Sequence, residues 1–282
     1  MQSGVMGPRL RGDDGFRMAH SSSIRAGLIV LTALSAVPLP VSAADSATIA
    51  ARQRQQRTTF SDKDIIDGFL KTTFGAEFHL AGRVDRIRKY EMPVRVAVSG
   101  AHGKRQKQIA AIVADIAKHI RHLDIAMTTD VEAASVNVHL VRDRDFDSTL
   151  AALYGQERAK EIRASLDPQC LSGFRKNEAF AIQHSDVFLT VDNGDFTFRD
   201  CAYEELLQSL GPINDTGSVP WTMFNDDVRM GFFGIYDQYI LNILYDPRIK
   251  AGMTMAEVEA VLPQVLKDIR AWVAKVNGLP AE

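Results

Sequence analysis

Residues Cys201–Asp215 read CAYEELLQSLGPIND, and the fold of the whole chain turns on where they are placed. On a helix, positions i, i+4 and i+7 share one face, which aligns Glu204, Gln208 and Gly211. Leu206, Leu207 and Leu210 supply the side that faces a core. Gly211 tolerates the left-handed turn that ends a helix, and Pro212 forbids its continuation. Asn214 is then placed to fold back toward Gln208, and Asp200 is the candidate N-cap.

Downstream, residues 221–246 read WTMFNDDVRMGFFGIYDQYILNILYD. Met223 and Phe224 belong in a core beneath the helix, and Asp237 opens a second helix carrying Ile240, Leu241, Ile243, Leu244 and Tyr245. Asp246-Pro247 ends it. Thr254 and Glu257 form a capping box for a last helical stretch with an apolar face from Val258 to Val276, which Pro263 is expected to kink or split.

Upstream, Ser61-Asp62 caps a helix whose face carries Ile65, Ile66, Phe69, Leu70 and Phe74. Alternation predicts strands over 94–99, 125–128 and 136–141, with a further extended region over 179–191 that turns out at Asn193-Gly194. Between them lie a helix over 104–123, striped by Ile109, Ile112, Val113, Ile116 and Ile120, and another over 147–165, ended by Asp167-Pro168. His119 and His122 have no carboxylate arranged beside them and read as solvated, and His139 as a polar-face strand residue. Interleaved helices and strands without a repeat give one α+β domain over 61–282.

The chain has 282 residues, 46% hydrophobic and 24% charged, which is enough for a sizeable core. A net charge of −2 gives no argument for nucleic acid or an anionic membrane surface. Arg25 precedes the apolar run AGLIVLTALSAVPLP, followed by Val41-Ser42-Ala43, which together describe a secretory signal peptide over 1–43. Pro38 and Pro40 interrupt the run, so a membrane-spanning helix is disfavoured. Residues 1–17 read as an extension ahead of a true start at Met18, and 44–60 as a flexible polar leader. The expected location is therefore periplasmic or secreted, after cleavage near Ala43. The two cysteines, Cys170 and Cys201, are most simply one disulfide in an exported chain.

The run from Cys201 has the spacing of the zinc-protease helix H-E-x-x-H-x-x-G-x-x-H, with Glu204, Gln208 and Asn214 at the ligand positions. The glutamate and glycine positions keep Glu205 and Gly211. Thr222-Met223-Phe224-Asn225 resembles the turn that follows this helix in metzincins, with Phe224 where the methionine usually falls and Met223 one residue early. The Asp237 helix ending in Leu244-Tyr245 resembles their next segment. The likeness implies a metzincin-like (zincin) mixed sheet with a backing helix, an active-site-like helix and a helical C-terminal part.

CAYEELLQSLGPIND, TMFNDD and LYDPRIKAGMT are also similar to the bacterial family called domain of unknown function 2927, over about residues 61–270. That resemblance implies an exported protein without established activity, in which the missing histidines are a family trait. This chain lacks the lipobox cysteine of the lipoprotein members.

Gln208 and Asn214 offer neutral amide oxygens, so canonical zinc hydrolysis is not expected and no cofactor is assigned. Structural roles stand beside the functional ones: Glu204 in the first helical turn suits the helix dipole, and a Gln208–Asn214 hydrogen bond would hold the loop. The expected function is non-catalytic binding of a peptide, glycan or protein partner in the cell envelope. Two others stay open: a hydrolase of altered chemistry with Glu205 as general base, using no metal or a hard one, and a structural envelope protein.

Overall fold

Val94, Val96 and Val98 alternate with Arg95 and Ala97, and the stretch forms strand β1 (Val94–Ser99). The computed structural model describes residues 41–75, 85–165 and 169–280. The signal segment up to residue 40, with Met18, and the Asp167-Pro168 break lie outside the described residues. β1 is flanked in parallel by β2 (Ile125–Met127) and β3 (Val136–Val141), and β3 pairs in parallel with β5 (Ile182–Thr190). The sheet closes with β4 (Cys170–Lys176), antiparallel to β5, in the order β2-β1-β3-β5-β4.

Parallel neighbours need crossover connections, and helix α3 (Gly103–His119) makes the one from β1 to β2. Its stripe of Ile109, Ile112, Val113 and Ile116 packs beneath Val94, Val96, Val136 and Val138 in the main core. The opposite face of β5 carries Phe188, which joins Phe146 and Leu150 of α4 (Phe146–Tyr154), Ala159 of α5 (Gln156–Ser165) and Leu171 in a second cluster. The continuous helix expected over 147–165 is thus two. Gly155 interrupts it at φ 85°.

Helix α2 (Asp62–Thr73) carries the predicted cap at Ser61, completed by Asp64 as a capping box. Helix α7 (Ile235–Tyr245) is buried on every side. Its polar residues are consequently paired: Asn242 accepts from Arg121 N and donates to His119 O, and Gln238 donates to Phe233 O. Helix α8 (Met255–Asn277) starts at the Thr254–Glu257 capping box and runs through Pro263 as a single helix, so the proline does not split it.

Two further segments differ from expectation. Helix α1 (Val41–Gln55) spans the end of the expected signal segment and most of the expected leader over 44–60; it docks through buried Ile49 and a hydrogen bond from Phe196 N to Asp45, and Gln56, just after it, accepts from Ile235 N. The stretch has good helix formers but a single anchoring apolar residue, so no stripe betrays it. β4 is the strand that reading missed, because Cys170–Lys176 shows no alternation of apolar and polar residues.

Candidate functional site

Helix α6 (Asp195–Gln208) leaves β5 through Gly194 (φ 90°) and runs beneath the sheet. It starts earlier than expected, and Asp200 lies inside it, buried, where it accepts from Met230 N (2.7 Å), Gly231 N (2.8 Å) and Arg229 Nε (3.1 Å). Asp200 thus caps the loop ahead of α7 and does not cap its own helix. The Cys170–Cys201 disulfide is formed, with Cα atoms 5.9 Å apart, and ties the start of β4 to the middle of α6.

The end of α6 follows the expected design. Gly211 has φ 142°, and a Cβ there would overlap the Arg88 carbonyl oxygen and come within 2.8 Å of Leu244 Cδ2. Tyr245 Oη donates to Leu210 O (2.8 Å), so α7 holds the turn from beneath. Met223 and Phe224 are buried as predicted. Asp237 accepts from Thr222 Oγ1 (2.6 Å) and Met223 N (3.2 Å), and Asn225 Nδ2 donates to Val219 O (2.9 Å). Burial pushes the Asp237 carboxyl up to about 7, against the lowering effect of those two donors. These scaffold residues fix the turn over 222–225 and have no free chemistry of their own.

The residues at the three ligand positions do not converge. Asn214 turns away and donates to Lys71 O (2.7 Å), while its backbone N–H reaches Thr72 O (3.2 Å). Gln208 is buried and bonds Asp215 instead, Nε2 to Oδ1 at 2.8 Å, with the Ser172 hydroxyl of β4 donating to its Oε1 at 3.5 Å. The expected Gln208–Asn214 bond is replaced by Gln208–Asp215. Zinc held at those positions does not fit this geometry.

A different group does assemble. Glu204, Asp215 and Asp226 each present a carboxylate oxygen within 4.8 Å of the others. Glu205 adjoins them, 6% exposed, and its Oε2 has no hydrogen-bond donor. Burial, and then Glu205, Asp215, Asp200 and Asp226, push the Glu204 carboxyl far above the usual carboxylate range. Burial also raises Glu205; the Ser172 hydroxyl opposes this, and Asp215 and Asp226 add to it. Asp215 and Asp226 were not singled out in the sequence, although both stand in the quoted runs directly after Asn214 and Asn225. Their signal was present as Asn-Asp turns, and only the tertiary fold brings those turns to one helix.

The histidines lie elsewhere. His119 is half-buried, contrary to the solvated reading, and its Nδ1 lies 3.1 Å from Asp115 Oδ1 and 2.8 Å from Asp115 O. The bond to the Asp115 carboxylate holds the imidazole above its ordinary value against burial. His139 stays on the polar face of β3, stacked on Phe188 and 3.0 Å from Asp186 Oδ1. Neither approaches the carboxylate group as a ligand. Among the described residues, no helix is long and apolar enough to cross a membrane.

With this geometry in place, the family described as "Protein of unknown function (DUF2927)" matches residues 62–264. The chain belongs to the DUF2927 family. The matched span of this DUF2927 domain opens at α2 and closes inside α8, so it includes the whole sheet, α6 and the turn below it. No curated protein and no solved structure matches the chain.

Proposed function

We propose that this DUF2927 domain is an exported, metzincin-like binding domain without hydrolytic activity, whose edge strand β4, above α6, takes an extended segment of a peptide or protein partner. The observation that carries the reading is the divergence of Gln208 and Asn214, whose amides are spent on Asp215 and on the α2 backbone. A metzincin-like scaffold is supported by α3 backing the sheet, α6 crossing it and the helical part that follows the turn over 222–225. Export is supported by the disulfide, since such bonds persist in oxidising compartments.

The binding surface follows from the edge position of β4. Thr190 N donates to Gln169 O, and β-ladder alternation from that pair sends the backbone N–H and C=O of Ser172 and Phe174 away from β5. Among the described residues no strand pairs with this side of β4, and an edge of this kind accepts an added strand.

A photo-crosslinking residue in place of Lys176, exposed at the end of β4, tests this in the native envelope. The expected result is a discrete adduct from position 176 and none from exposed Glu259 on α8. The adduct disappears in Ser172→Pro, which removes an outward N–H while leaving the β5 pairs intact. Absence of the adduct, or its survival in Ser172→Pro, overturns the reading and leaves a structural role.

A second reading keeps chemistry at the site, with Glu205 as general base. The buried Glu205 Oε2 without a donor favours it. A Glu205→Gln chain that still forms the adduct yet fails to complement a deletion strain would replace binding with catalysis.

A further inference from the structure

We propose that Glu204, Asp215 and Asp226, with Glu205 behind them, form a binding site for a hard divalent cation, calcium fitting best. The sequence argued against zinc, because the residues at the ligand positions of the zinc helix are poor zinc ligands, and left a hard metal open without assigning its ligands. The fold replaces two of those positions with carboxylates from the loops beneath. Asp215 arrives from the turn after α6, held by Gln208 Nε2. Asp226 arrives from the turn over 222–225, whose Asn225 accepts from Asp227 N (3.1 Å) and donates to Val219 O. Of the three carboxylates, only Glu204 stands at a ligand position of the zinc helix.

The donor set selects the ion. All the donors are carboxylate oxygens, which suit calcium, magnesium or manganese and suit zinc poorly. Oxygens on opposite sides of a calcium ion bound at about 2.4 Å are about 4.8 Å apart. Three carboxylate oxygens within 4.8 Å of one another fit inside that shell. Glu204 and Asp215 are half-buried and Asp226 is exposed, so the open side leaves room for the waters that complete six to eight ligands.

The independent observation is Glu205. Its carboxyl is buried, has an oxygen with no donor, and directly follows Glu204 on α6. A buried acceptor without a donor is costly. With Glu204, Asp215 and Asp226 beside it, a cation is the natural partner of the group.

Isothermal titration of the chelator-stripped full chain with calcium chloride at fixed ionic strength tests the site. One calcium per chain is expected, bound more tightly than magnesium, which demands a smaller octahedral shell. Asp226→Asn, at an exposed position that leaves folding intact, is expected to weaken calcium binding at least about tenfold. Asp227→Asn, one residue along and exposed, is expected to leave it unchanged. No calcium binding, or equal binding by wild type and Asp226→Asn, overturns the assignment. The outcome is independent of the β4 adduct, so failure of either proposal leaves the other standing.

Discussion

Gly211→Ala is expected to destabilise the domain by about 3–5 kcal/mol, combining backbone strain with overpacking. Gly211 sits at φ 142°, a region L side chains rarely adopt. The added methyl would overlap the Arg88 carbonyl oxygen, and Leu244 Cδ2 stands 2.8 Å away on the other side. Neither neighbour can yield cheaply. Arg88 is buried and its guanidinium donates to Thr73 O and Gly75 O, which anchors its backbone to the end of α2. Leu244 lies in the fully buried helix α7. Against a typical domain stability of about 5–15 kcal/mol, the loss is a large fraction of the total. Urea unfolding should show a lower midpoint with an unchanged slope. A change under about 1 kcal/mol would mean that the turn leaves α6 differently.

The second large effect is expected at the disulfide. Cys170 and Cys201 close a loop with a sequence separation of 31. The chain-entropy account assigns such a cross-link about 3–4 kcal/mol. The double variant Cys170→Ser/Cys201→Ser should lose that amount, and reduction of the wild type should lose the same. The consequence extends to the site, because Cys201 lies one helical turn before Glu204 and Glu205 and fastens α6 to the strand that carries Ser172. Calcium affinity should therefore fall in the double variant even under conditions where it remains folded. Unfolding transitions that coincide with and without reductant would contradict the prediction.

The legible parts of the fold had local causes. Ser61 and Thr254 cap helices through side-chain oxygens, and their partners Asp64 and Glu257 stand three residues on. β3 alternates because one face packs on α3 and the other does not. The end of α6 is written in Gly211 and Pro212 themselves. The start of α6 was misplaced because the helix buries polar and apolar residues alike: Asp200, Glu205 and Gln208 are inside together with Leu206 and Leu207. No stripe marks a helix of that kind.

The site was half legible for a related reason. Glu204 and Glu205 belong to one helix, so their spacing could be read directly. Asp215 reaches them because Gln208 holds it after the end of α6, and Asp226 because Thr222, Asn225 and Asp237 lock a turn in place beneath α6. Asn214 was assigned a role by spacing, and the tertiary fold gave that role to its neighbour. Lys71 O and Thr72 O, contributed by α2, were better partners for the Asn214 side chain and backbone than Gln208.

The central claim is that a helix with zinc-protease spacing has become a carboxylate site that does not hold zinc. Equilibrium dialysis of the chelator-stripped protein against equimolar zinc and calcium, followed by elemental analysis, tests it most directly. The account predicts calcium approaching one per chain, lost in Asp226→Asn, with zinc well below one. Zinc at one per chain, displaced by Glu204→Gln, would contradict it.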